Sequence, residues 1–387
     1  MIIHNVKSGE TLTDVAACYG ISPIKLAENN GLSQKSALIE GEELLILQPT
    51  RSTNAKVGES LDDIARRFGV RESTLLGINP ELCGSGRLYA GQPIAVKYGQ
   101  PLYGLGIGNG YYYRGCSREA LMRALPYLNY VTVSGAVGRG GRVNMLFDDT
   151  EVVSLARAAG KLPMLRLWLG DEDASHREAT IKSALLIASA RGYHGLTLAG
   201  EVGTGEESKA TLSMAKEASA ECGLSLFGEC DVSRVRDGVD IPDVTVLTYD
   251  KIHFEKIPGF DEGERVEFTR FAERHDAVRA FIDLSPFALI SGKYITKDEA
   301  RYAVLRGGGS IHESGCESYA VASVGKGRRE RLYIWETMKN TRKKLELLSE
   351  LGYYGISFDI ARAPIYDLLM FRVMFSDGIG MRGDVSP

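Results

Sequence analysis

The apolar positions of the first hundred residues follow one pattern twice. Leu12, Val15, Ala16 and Tyr19 fall at helical intervals, and so do Leu61, Ile64, Ala65 and Phe68. A shift of 49 residues lays Lys7-Ser8-Gly9-Glu10-Thr11-Leu12 on Lys56-Val57-Gly58-Glu59-Ser60-Leu61. The same shift carries Asp14, Ala16, Gly20, Leu26 and Asn30 onto Asp63, Ala65, Gly69, Leu75 and Asn79. After one inserted residue, Gly41-Glu42 meets Gly91-Gln92. Self-similarity at a fixed period marks a duplicated unit. Thr11 and Ser60 suit a helix N-cap, with an acid three residues on to complete a capping box. Gly20 and Gly69 suit the left-handed close of that helix. Apolar runs at 44–47 and 94–96 read as closing strands. Each unit is therefore expected to run strand, helix, helix, strand, over residues 1–48 and 52–98.

Residues 98–102 read as a short hinge, and the pattern then changes. Strand-like apolar runs stand at 102–107, 130–134, 162–167, 195–198, 224–227, 244–247, 278–282 and 355–358, separated by helical stretches. The clearest helices are 149–159 and 332–351. Eight strands alternating with helices predict an α/β fold, a (β/α)8 TIM barrel, over residues 102–387. Between strands seven and eight, residues 285–331 hold a helix near 297–305 and a strand pair within 310–324. They read as a small α+β insertion.

Composition narrows the function classes. The chain has 387 residues, 25% of them charged, and a net charge of -4, without the basic excess typical of nucleic-acid binders. No apolar run approaches the ~18 residues of a transmembrane helix. The opening MIIHNVKSGETL lacks the basic and apolar regions of a secretory signal, so synthesis in the cytoplasm is expected. The six cysteines form no C-x-x-C pair and read as buried thiols. The six histidines are scattered, and the spaced glycines Gly104, Gly106, Gly108 and Gly110 do not make a dinucleotide fingerprint. Neither a metal nor a cofactor is expected.

The duplicated unit resembles the LysM module in its G-E-T-L and G-E-S-L starts, its Ala-x-x-aromatic-Gly step and its late Gly-Glu or Gly-Gln. The resemblance implies binding of N-acetylglucosamine polymers, peptidoglycan or chitin, in a groove between the first strand–helix loop and the loop before the last strand. It implies Gly9, Thr11, Leu12 and Asn30 at one site and Gly58, Ser60, Leu61 and Asn79 at the other. The barrel resembles family 18 glycoside hydrolases. Residues 128–134 and 162–165 look like early strands, 190–201 like the fourth, Leu247-Thr248-Tyr249-Asp250 like the sixth-strand signature and 351–357 like the eighth. With two LysM modules in front, the chain is similar to the spore cortex-fragment-lytic branch of that family, which implies association with the spore or cell wall.

Glycoside hydrolysis needs an acid for the leaving oxygen and a second group at the anomeric carbon. Acids at the strand ends supply candidates. The resemblance implies Glu201 as general acid, with Tyr249 and Asp250 beside it. Glu229, Asp283 and Asp359 are possible second carboxylates. The departures are informative. The family's Asp-x-x-Asp-x-Asp-x-Glu falls here on His194, Thr197, Ala199 and Glu201, so only the last acid stands. The Asp replaced by Ala199 orients the substrate's acetamido group, and loss of one such stabiliser costs ~10²–10³ in rate. The family's strand-eight Trp is matched by Asp359. Three readings follow: a glycan-binding barrel with weak or lost catalysis, an active N-acetylglucosaminidase with a rebuilt carboxylate pair, or a non-enzymatic coat or wall-assembly component. Protein partners are not readable from the sequence.

Overall fold

The computed structural model describes residues 1–83, 87–170, 172–200, 205–231, 244–248, 263–274, 280–284, 288–290, 293–313, 319–325, 327 and 330–377. The first unit comprises β1 (Ile2–Asn5), α1 (Leu12–Tyr19), α2 (Pro23–Asn29) and β2 (Glu43–Ile46). The second comprises β3 (Arg51–Asn54), α3 (Leu61–Phe68), α4 (Glu72–Ile78) and β4 (Pro93–Lys97). In each unit the two strands pair antiparallel. Both capping boxes form: the Thr11 and Ser60 hydroxyls accept from the Asp14 and Asp63 N–H groups, and those carboxylates accept from the cap N–H. Gly20 and Gly69 close the helices at φ 64° and 67°. Apolar faces of the two helices and the strands meet in one small core per unit.

The rest of the chain builds the barrel. Its elements are β5 (Tyr103–Gly106), β6 (Gly108–Tyr113), α5 (Arg118–Ala124), β7 (Tyr130–Arg139), β8 (Arg142–Met145), α6 (Thr150–Ala158) and β9 (Leu162–Trp168). There follow α7 (Ala174–Arg191), β10 (Gly195–Ala199), α8 (Gly205–Glu221), β11 (Ser225–Asp231), β12 (Val244–Thr248), α9 (Gly263–Arg274) and β13 (Ala280–Asp283). Next come β14 (Ala288–Ile290), β15 (Lys293–Ile295), α10 (Lys297–Gly307), β16 (Ile311–Glu313), β17 (Tyr319–Val324) and β18 (Arg331–Glu336). The last described elements are α11 (Met338–Glu350), β19 (Gly355–Asp359), α12 (Ile365–Met374) and β20 (Phe375–Asp377). Strands β6, β7, β9, β10, β11, β12, β13 and β19 pair in parallel, and β6 pairs with both β7 and β19, so the ring closes. A layer of aromatic rings fills its lower interior, with Phe227 5.0 Å from Tyr130 and Phe281 5.2 Å from Tyr354, centroid to centroid.

Three expectations are corrected. The first barrel strand is 108–113 rather than 102–107; residues 103–106 instead pair with β20. The apolar run lies outside the ring because Gly106 packs on Phe371 and Phe375, with no room for a Cβ. The true strand, Gly-Asn-Gly-Tyr-Tyr-Tyr, lacks an apolar run because a polar Asn109 faces inward, its Oδ1 accepting from the Thr132 hydroxyl at 2.8 Å. Second, residues 331–336 are a strand, not the start of a long helix. β18 lies between β14 and β17 in a five-stranded sheet, where Tyr333 is buried. The insertion therefore runs on through β18 and packs α10 on that sheet. Third, Cys18 and Cys222 are exposed rather than buried; the five described cysteines are free thiols. The 98–102 segment is also tied down, since Tyr98 packs on the barrel core and the Leu102 N–H donates to Met374. No helix among the described residues is long and apolar enough to cross a membrane.

The first unit docks firmly. Leu45 and Leu47 join the barrel core. Arg301 on α10 binds the Glu42 carboxylate and donates to the Ala37 carbonyl at 2.6 Å. The Ile311 N–H donates to the Glu40 carbonyl at 2.9 Å. Glu43 accepts from the Met338 N–H at 2.5 Å, while its other oxygen is buried without a hydrogen-bond partner among the described residues. Burial pushes the Glu43 carboxyl up to about 7. Burial and the neighbouring Glu81 push Glu28, at the seam between the two units, to about 7 as well. A carboxyl raised on folding keeps its proton where the unfolded chain has lost it. Stability should therefore fall as pH rises from about 4.5 towards 7, then level off. Glu43→Gln should match the wild type near pH 4 and exceed it by roughly 2–3 kcal/mol at pH 8. Parallel pH profiles of the melting temperature for the two proteins would refute this.

Candidate functional site

The two repeated units present their expected residues unequally. Gly9 and Gly58 have φ of 78° and 74° with open space where a Cβ would stand, so only a residue free in the left-handed region makes this turn without strain. Thr11 and Ser60 cap their helices at the edge of that turn. Leu12 and Leu61 lie in the unit cores. Asn30 and Asn79 are buried and bonded to the same backbone groups of their units. Asn30 donates to Leu26 and Leu45 carbonyls and accepts from the Leu45 N–H at 2.7 Å. Asn79 does the same to Leu75 and Ala95, and also accepts from Lys25 at 2.9 Å. The repeated asparagine thus fastens the second helix to the closing strand.

At the barrel, Glu201, Tyr249 and Asp250 lie outside the described residues. The other positions of the fourth-strand motif are placed. Thr197 is aligned with Arg166 on β9 and Phe227 on β11, and Ala199 with Trp168. Residues in register point to the same face, so Thr197 and Ala199 share the inward face of Arg166 and Phe227. Both are buried, and the Thr197 hydroxyl has no hydrogen-bond partner among the described residues.

Glu229 is held by a guanidinium. Arg166 reaches across β10 to bind it in a fork, Nε to Oε2 at 2.9 Å and Nη2 to Oε2 at 2.5 Å. Both side chains are mostly buried. The Tyr111 hydroxyl lies against this pair, and burial together with the Glu229 charge raises its pKa well above the usual range. Asp283 ends β13, half-buried. Asp359 ends β19, also half-buried, where burial raises its carboxyl; the Ala361 N–H at 2.9 Å and Arg362 at 3.3 Å oppose that rise. Tyr113 and Asp283 are close enough to act on it electrostatically, so Asp283, Asp359 and Tyr113 occupy one side of the mouth. The structure brings Glu229, Asp283 and Asp359 to the same barrel end.

Two residues of this mouth were not foreseen. Arg166 is not an acid at a strand end; its signal in the sequence is a charge at an inward position of an otherwise apolar strand, Leu-Pro-Met-Leu-Arg-Leu-Trp. Trp168, two residues on, lies beside Ala199 and carries the Arg166 guanidinium 5.5 Å from its ring centre. It is partly exposed and offers an aromatic surface at the mouth where strand eight has none. Among the described residues no group of three or more His, Cys, Asp or Glu could hold a metal ion.

The LysM domain family matches residues 4–46 and 55–97. The fold is similar to that of the spore cortex-lytic enzyme SleL from Bacillus cereus, with a TM-score of 0.71 and 18% identity over 97% of this chain and 99% of that one. A chitinase from Chromobacterium violaceum is similar over 70% of this chain and 99% of its own, with a TM-score of 0.59 and 15% identity. At these identities the likeness is one of fold. An autolysin from Enterococcus faecalis is 31% identical over 116 residues, 25% of this chain. The chain spans 15% of that relative's length.

Proposed function

We propose that the protein is a wall-glycan binder of the spore or cell wall, in which two LysM modules deliver a glycoside-hydrolase-like barrel to polymers containing N-acetylglucosamine. Hydrolysis by that barrel is weak or lost. Ala199 is the observation that carries the reading. It is buried on the inward face of β10, where the resemblance calls for the carboxylate that orients the acetamido group. The nearest inward carboxylate with a described partner, Glu229, is bound by Arg166. A carboxylate fixed by a guanidinium is a poor base and a poor nucleophile, since the ion pair stabilises its charge where it stands.

A second reading keeps the enzyme. Asp359 favours it: a half-buried carboxyl with a raised proton affinity, beside Tyr113 and Asp283, is the kind of group that glycoside hydrolysis employs. Glu201 would then be the acid and Asp359 the rebuilt partner. One experiment separates them. Wild type, Glu201→Gln and Asp359→Asn are incubated with purified cortex peptidoglycan, and released reducing ends and sedimented protein are measured in the same tubes. Co-sedimentation of all three without release supports the binder. Release by wild type that either substitution abolishes establishes the hydrolase. No sedimentation of any of them removes the glycan-binding reading.

A further inference from the structure

The duplicated loop before the closing strand has two different fates. In the first module the Ile39 N–H donates to the Glu42 side chain, Val6 donates to the Glu42 carbonyl and Gly41 donates to the Val6 carbonyl. In the second module Tyr89 donates to Gln92, Ala55 to the Gln92 carbonyl and Gly91 to the Ala55 carbonyl. The backbone frames are the same, so Ile39 and Tyr89 occupy equivalent places. Ile39 is 3% exposed, packed into the insertion's core against Ala300, Val304 and Ile311. Tyr89 is 58% exposed. The neighbouring first loop is exposed in both modules but changes character: Ser8 of the first module is replaced by Val57 in the second, which is 90% exposed.

We propose that the two modules divide their labour: the first is a docking module whose loop is occupied by the insertion, and the second carries the open sugar site, with Tyr89 and Val57 as its apolar platform. This rests on the glycan-binding reading above and names the part of the chain that performs it. The chemistry is that of a pyranose ring. One face of such a ring presents C–H groups that pack on an aromatic side chain, while its rim presents hydroxyl and acetamido groups. Tyr89 and Val57 stand on two loops held together by the Ala55–Gln92 and Gly91–Ala55 hydrogen bonds. Gly58 and Gly91, at φ 74° and 84°, have open space where a Cβ would stand, which leaves backbone accessible beside the platform. In the first module the corresponding approach at Gly41 is closed by the Ile311 carbonyl. Exposed apolar side chains on hydrogen-bonded neighbouring loops mark a recognition surface more often than scattered ones do.

The test is calorimetric titration of the full chain with N-acetylchitohexaose. Tyr89→Ala and Val57→Asp should each weaken binding by roughly tenfold or more, Tyr89→Trp should retain it, and Ser8→Asp, the first-module counterpart of Val57→Asp, should leave it unchanged. All three positions are exposed loop sites outside the unit cores, and circular dichroism verifies the fold. Wild-type binding that survives Tyr89→Ala and Val57→Asp, or that Ser8→Asp abolishes, overturns the assignment and leaves glycan binding standing. Absence of binding by the wild type overturns both.

Discussion

Gly41→Ala is expected to unseat the first LysM module, and Gly91→Ala is not. The two glycines are counterparts, at φ 81° and 84°. An alanine in that left-handed region costs about 1–2 kcal/mol at either place. The difference is what a Cβ would meet. At Gly91 there is nothing within 4 Å; at Gly41 the Ile311 carbonyl oxygen would lie 1.9 Å away. That oxygen belongs to backbone on β16, so no rotamer change relieves the overlap. The chain must separate there, losing the Glu40–Ile311 hydrogen bond and straining the Arg301–Glu42 pair beside it. Destabilisation of the docked state should exceed about 4 kcal/mol, the range reached only by severe overpacking or broken buried networks. Calorimetry should resolve a separate early transition in Gly41→Ala. Equal shifts of the melting profile in both variants would show that the seam contributes nothing.

That asymmetry was invisible in the sequence, where Gly41-Glu42 and Gly91-Gln92 look interchangeable. Repeats and capping chemistry report on contacts a few residues apart, so the modules were legible to the level of Thr11–Asp14 and Ser60–Asp63. The closed ring of parallel strands was also legible, because alternation of strand and helix is imposed by burying both faces of the sheet. What failed did so where long-range packing overrode local pattern. The 103–106 run does not enter the ring: Tyr103 and Gly106 pack on Phe375 and Phe371, and Leu105 is exposed. Residues 331–336 carry helix-compatible charges, yet β17 on one side and β14 on the other pull them into a sheet. At the barrel mouth, Glu229 and Asp359 are legible as acids, but their partners, Arg166 and Arg362, decide what those acids can do, and Arg166 is 63 residues from Glu229 in sequence.

Arg166→Met is expected to be the most damaging single change in the barrel, and the reason bears on function. The guanidinium spans β10 to reach Glu229, and both groups are mostly out of water. Removing one member of a buried pair leaves the other charged and unsatisfied, at a cost of about 3–5 kcal/mol. Removing both and filling the volume, as in Arg166→Met with Glu229→Met, should recover most of that loss, because the desolvation of two charges is removed along with their attraction. The double variant should therefore be more stable than Arg166→Met alone. Urea titrations of wild type, both singles and the double close the cycle. Additive effects would mean the pair is only incidental to the barrel. A strongly non-additive result would mean that the inward acid of β11 is committed to holding the ring together. An acid so committed is unavailable to glycan chemistry, and a hydrolase built on this barrel would then have to draw its second carboxylate from the Asp283 and Asp359 side of the mouth.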